Sequence, residues 1–122
     1  MVDLPTVRRL AADLPGLEDR STDQRLAFET AEGKGVAWSF MARPDPKKPR
    51  MPDLSILAVR CEMARKQLLV EAAPDRFFDD DHYRSYPAVL VRLAAVDEGE
   101  LASLLAEGLR LQTAPRSRRR ST

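Results

Sequence analysis

Apolar positions recur along the chain with two periods, and the alternation between them predicts eight elements. From Leu4 to Leu14, Val7, Leu10, Ala11 and Leu14 repeat at helical spacing and make one stripe. Asp3 can cap the free amides of this helix, Pro5 fits its first turn, and Pro15-Gly16 stops it. Leu17 to Asp23 is polar and reads as a loop. Arg25 to Ala31 then alternates, with Leu26 and Phe28 on one face. Val36 to Ala42 follows as a second strand, in which Trp38 and Phe40 share a face beside Val36 and are expected to join the core. Glu32-Gly33-Lys34-Gly35 between them is a glycine-containing tight connection, the mark of a hairpin.

Leu54 to Arg60 is a third strand, with Leu54, Ile56, Ala58 and Arg60 alternating against Ser55, Leu57 and Val59. Glu62 to Ala73 is a second helix, with Ala64, Leu68 and Ala72 at four-residue spacing and Leu69 alongside. Pro74-Asp75 ends it. Arg76 to Asp79 is a short fourth strand. Tyr86 to Ala94 is a nine-residue, mainly apolar run with β-branched Val89 and Val91 and one polar exception, Arg92. Such a run suits a strand covered on both faces, and Pro87 lies near its start, where a missing ladder donor is tolerated. Asp97 caps a last helix with Glu100 three residues later, a box-like arrangement. Leu101, Leu104, Leu105 and Leu109 form its stripe, and Gly108 falls on the same side, where close packing would explain it. Pro115 bounds it.

The order is α-β-β-β-α-β-β-α. Hairpin-type links argue for one antiparallel sheet, and three amphipathic helices need a sheet face to cover. The expectation is a two-layer α+β domain with a five-stranded sheet over residues 1–115, followed by a basic, disordered tail, 116–122. The 43% apolar and 32% charged content belongs to an ordinary globular chain. No run approaches the ~20 apolar residues of a membrane span, and no basic-then-apolar leader opens the chain. Cys61 is the lone cysteine, so no internal disulfide forms. A cytoplasmic protein is expected. The tail RSRRRST carries four arginines; without them 16 of the 20 basic residues face 19 acidic ones, a body of net −3.

Constellations for catalysis are missing from the sequence. Cys61 and His82 form the sole Cys/His pair, and no nucleophile elbow or phosphate-cradling glycine loop exists. Asp79, Asp80, Asp81 and His82 are the best metal candidates, yet adjacent residues rarely point at one centre, and an acidic turn between strands is the expectation. His82 itself is expected to hydrogen-bond backbone within that turn. Neither enzyme activity, metal nor cofactor is therefore expected. Arg43 to Asp53 (RPDPKKPRMPD) holds four prolines in eleven residues. It reads as an extended, exposed loop joining the second and third strands, carrying Arg43, Lys47, Lys48 and Arg50. With Lys34 at the hairpin tip and Tyr83, Arg84 and Tyr86, it makes a candidate nucleic-acid surface: cations neutralise phosphates and tyrosines stack or hydrogen-bond.

Several segments together resemble the MmcQ/YjbR proteins. Leu14-Pro15-Gly16-Leu17-Glu18 looks like the family's segment after the first helix, and Gly33-Lys34-Gly35-Val36-Ala37-Trp38 like its first hairpin. Phe77-Phe78, His82-Tyr83 and Tyr86-Pro87-Ala88-Val89-Leu90-Val91 match the family signature most closely. Asp81 stands where proline is usual, and Ser85 where glycine is usual. The resemblance implies an α-β3-α-β2-α fold with a CyaY-like or secretion-chaperone-like sheet. It also implies DNA binding through hairpin loops in a double-wing arrangement, with signature residues His82, Tyr83, Tyr86 and Pro87. The expected function is non-enzymatic DNA binding, through Lys34, Arg43, Lys47, Lys48 and Arg50, with Tyr83 and Arg84 orienting the contact. The alternative is a module that binds a partner peptide on its sheet. The protein would be a monomer or a weak homodimer, with Leu111 as a dimer contact.

Overall fold

The computed structural model describes residues 1–43 and 45–113; the 116–122 tail and the boundary at Pro115 lie outside them. The elements are α1 (Leu4–Ala12), β1 (Leu17–Asp19), β2 (Ala27–Thr30), β3 (Gly35–Ala42), β4 (Met51–Arg60), α2 (Met63–Ala72), β5 (Phe77–Phe78), β6 (Ala88–Arg92) and α3 (Glu98–Thr113). An α+β domain with three helices on one antiparallel sheet is thus observed. The sheet has six strands in the order β1-β2-β3-β4-β6-β5, not the five expected. The added strand is β1, where Leu17, Glu18 and Asp19 pair with Thr30, Glu29 and Phe28. Three residues with one apolar side chain carry no readable alternation, and the exposed edge of β2 supplies the partner. No helix among the described residues is long and apolar enough to cross a membrane.

β6 lies between β4 and β5, so the run read as an interior strand is one. Its regular part is Ala88–Arg92, and Tyr86 and Pro87 belong to the preceding loop. Alternation sorts the sheet into two faces. Phe28, Ala37, Leu57, Val59, Val89, Val91 and Phe77 point toward the helices and join Val7, Ala11, Leu101, Leu104 and Leu105 in the main core. Trp38, Phe40, Ile56, Ala58, Leu90 and Phe78 point the other way and form a second cluster. Trp38 and Phe40 do share a face, but they are half-buried on the side away from the helices. They contribute to the core as expected, but to the second cluster rather than the one under the helices: Trp38 pairs with Ala58, whose side chain lies in that cluster.

At a register shift between β3 and β4, Ser39 faces Leu57 while Phe40 faces Asp53, so Leu54, Ser55 and Ile56 bulge out of the β3 pairing. Asp53 Oδ1 accepts from the Ser55 amide at 2.9 Å, which holds the bulge. Beyond it, Phe40–Ala42 and Met51–Asp53 pair only with each other. They make a two-stranded wing that extends past the rest of the sheet. Met51, Pro52 and Asp53 are therefore strand, not loop. Pro52 is tolerated because this part of β4 is an edge, paired on one side only.

The caps are as read. Asp3 Oδ1 accepts from the Thr6 amide at 3.0 Å. Asp97 Oδ1 accepts from the Glu100 amide at 2.8 Å, while Glu100 Oε1 accepts from the Asp97 amide at 3.3 Å. The buried face of α2 differs from the expected one. Ala64, Leu68 and Ala72 are exposed, and Lys66, Leu69, Val70 and Ala73 point inward.

Gly108 lets α3 close onto the sheet: a Cβ there would stand 2.9 Å from the Arg60 carbonyl oxygen and 3.2 Å from Val36 Cγ1. In an exposed helix, replacing glycine by alanine stabilises by about 0.8–1 kcal/mol. Here a backbone oxygen cannot move aside, so Gly108→Ala is expected to destabilise by about 1–3 kcal/mol. Urea unfolding checks this, and a raised midpoint would contradict the close approach.

Candidate functional site

The connection from β5 to β6, residues 79–87, folds back over the sheet face that the helices leave uncovered. What holds it is Lys66, only 2% exposed, whose Nζ donates to the carbonyls of Tyr83 at 2.5 Å and Tyr86 at 3.0 Å. Asp79 Oδ1 stands 3.0 Å from the same nitrogen. An ammonium has three donors, and three acceptors converge on it. Lysine in register with Leu69, Val70 and Ala73 was the available signal, at spacings of three, four and seven. The expected Ala64/Leu68/Ala72 stripe hid it.

The acidic run is used residue by residue. Asp79 meets Lys66, Asp80 Oδ1 accepts from the Tyr83 amide at 2.9 Å, and Asp81 pairs with Arg84. Among the described residues no three His, Cys, Asp or Glu side chains group where a metal ion could be held. Ser85, where the resemblance favours glycine, carries no strain, since no described non-glycine residue has positive φ.

Tyr83 is the aromatic centre of the loop. At 6% exposure it is buried, and its hydroxyl accepts from Trp38 Nε1 at 2.9 Å. Its ring lies 5.9 Å from Phe40 and 5.8 Å from Tyr86. Burial pushes the phenol above its ordinary value of 10.0, partly offset by the Trp38 hydrogen bond. Tyr83 therefore does not present a stacking surface, and its expected role in orienting a nucleic-acid contact is corrected to one of packing. Tyr86 keeps 40% of its surface and meets Trp38 edge-on at 6.1 Å. The Arg60 guanidinium sits 5.0 Å above the Tyr86 ring and its Nη2 donates to the Tyr86 hydroxyl at 3.2 Å. His82 is exposed and meets Tyr83 edge-on at 5.3 Å; its side chain makes no hydrogen bond among the described residues, contrary to expectation. The Pro87 carbonyl accepts from the Cys61 amide at 3.0 Å, joining the loop to the end of β4.

Two clefts share Trp38 and Tyr86. One, of about 440 Å³, is lined by Trp38, His82, Tyr83 and Tyr86. Its neighbour, of about 240 Å³, adds Arg25, Glu29, Gly35 and Arg60 to that rim.

The wing carries the predicted cations. Arg43, Lys47, Lys48 and Arg50 are all exposed, and among the described residues none joins an ion pair. Arg43 Nε donates to the Lys48 carbonyl and Arg50 Nη1 to the Met41 carbonyl, each at 3.0 Å, which braces the tip. Asp45 accepts from the Lys47 amide at 2.9 Å. Lys34 is exposed at the β2–β3 turn, at the opposite end of β3. Nine residues of extended chain put it roughly 30 Å from Arg43. The sequence grouped Lys34 with the wing; the fold separates them. Arg84 is exposed but paired with Asp81.

No family model and no curated protein matches the chain. The crystal structure of the Deinococcus radiodurans protein DR2400, which carries a DUF419 domain, is similar in fold, with a TM-score of 0.68 and 21% sequence identity. The likeness covers 93% of this chain and 80% of that one, and at this identity it is a likeness of fold.

Replacing Lys66 by methionine leaves two carbonyls and the Asp79 carboxylate without their shared donor. Lys66→Met is expected to destabilise by about 2–4 kcal/mol, with Asp79 partly solvated and so less costly to strand. A thermal midpoint within a degree or two of the parent would contradict this. Cys61, buried at the start of the α2 crossover, has its thiol pushed by burial from 9.0 to about 11. The fold disfavours the thiolate, so this contribution is intact below pH 9.0 and is lost as pH rises toward about 11. Cys61→Ala should flatten the fall in stability over that range; an unchanged slope would place its cause elsewhere.

Proposed function

We propose that the protein is a non-enzymatic nucleic-acid-binding domain of the MmcQ/YjbR type that engages DNA phosphates through the β3–β4 wing. The observation that carries the reading is the wing itself: a two-stranded arm whose tip holds Arg43, Lys47, Lys48 and Arg50 exposed and unpaired among the described residues. Against them the 43–50 loop has only Asp45, giving the tip a net charge of +3. Cations on a projecting arm reach phosphates without bringing the acidic body of the domain close, which answers its net −3. Lys34 meets the same duplex only if β3 lies along it, since roughly 30 Å is close to one helical turn. The non-enzymatic part of the reading is supported by the sequence, which has no nucleophile elbow and no phosphate-cradling glycine loop.

The test is the salt dependence of duplex binding by a chain truncated at Pro115, which removes the four tail arginines. Log affinity should fall linearly with log salt, by about 0.9 per phosphate met. Changing Lys47, Lys48 and Arg50 together to alanine should reduce that slope by about 2–3. An unchanged slope would remove the wing from the contact. Loss of all binding on truncation alone would assign the attraction to the tail.

A further inference from the structure

The wing leaves the helix-free face of the sheet unexplained, and the clefts there combine two chemistries. The larger is walled by aromatic rings: Trp38, His82, Tyr83 and Tyr86. Only the smaller contains charge, with Arg25 and Arg60 against Glu29, a net positive lining. Arg60 Nε is buried without a hydrogen-bond partner. Its guanidinium thus retains an unmet donor beside the Tyr86 ring it covers.

We propose that the paired clefts bind one unstacked nucleotide unit. The base packs among Trp38, His82 and Tyr86, and its phosphate meets Arg25 and Arg60. The proposal deepens the nucleic-acid reading and rests on it for the source of the ligand. Every base has a π-face, so an aromatic cleft takes bases with little regard to sequence, and an adjacent arginine pair supplies the phosphate contact. A cationic ligand fits less well: Arg60 already occupies the face of Tyr86, and no carboxylate lines the aromatic cleft. A duplex is excluded from the cleft because its bases are stacked and paired. Single-stranded nucleic acid and a free nucleotide share the required chemistry.

Trp38 is the sole tryptophan, so quenching of its fluorescence reads this cleft directly. The probes are adenosine monophosphate, a single-stranded oligodeoxyadenylate and a duplex, each titrated into the full chain. The single strand is expected to quench saturably and at least tenfold more tightly than the mononucleotide; equal affinities would assign the site to free nucleotide instead. Tyr86→Leu and Arg60→Gln should each weaken quenching about five- to hundredfold. Both should leave duplex binding through the wing unchanged, which also shows that the variants fold. If either variant does not fold, the other carries the test. Absence of quenching by strand and mononucleotide at millimolar concentration, or quenching indifferent to both substitutions, would overturn the proposal. Retained duplex binding beside absent quenching would sink the cleft alone, and quenching without duplex binding would sink the wing alone.

Discussion

The Lys66 ammonium is 2% exposed, and three oxygens from a single loop converge on it. A charge that deep persists only when its donors are met, so the loop and the helix specify each other's positions. Fixing the Tyr83 and Tyr86 carbonyls fixes their side chains. Tyr83 is pressed onto Phe40 and Trp38, and Tyr86 is left upright beside Arg60. The second apolar cluster exists because of this arrangement. Without the loop, Trp38, Phe40, Ala58 and Leu90 would face water on the side the helices do not cover.

The same constraint divides the surface by chemistry. The loop spends its three aspartates on Lys66, on its own backbone and on Arg84. The basic residues project instead from the wing, which the bulge at Leu54–Ile56 releases from the sheet. Positive charge thus stands apart from the acidic body, and aromatic rings stand apart from the main core. A fold similar to that of DR2400 provides the frame, and these local devices make the two surfaces.

Much of the frame was legible in the sequence because it rests on long or punctuated patterns. Val89 and Val91 announce an interior strand, Asp97 and Glu100 a capped helix, and Gly108 a close crossing. Their signals lie within a few residues of each other. The rest depends on pairing across the chain. β1 is three residues with one apolar side chain, visible only through the β2 edge it joins. The wing needs the register shift after Ser39, which no local spacing encodes. Lys66 was missed because a lysine at an inward position breaks the apolar stripe that would reveal the face. Tyr83 was misread for the complementary reason: a tyrosine in an acidic, polar stretch reads as displayed, yet Trp38, 45 residues away, takes its hydroxyl.

The central claim is that one buried ammonium makes the 79–87 loop part of the cooperative core. Native-state amide hydrogen exchange tests it most directly. The amides of Tyr83 and Tyr86 donate within the loop, to the carbonyls of Asp80 and Tyr83 respectively. They are expected to open with nearly the same free energy as the β6 amides of Val89 and Val91. Exchange of the loop amides at the rate of an exposed, locally opening segment, while β6 stays protected, would contradict the account.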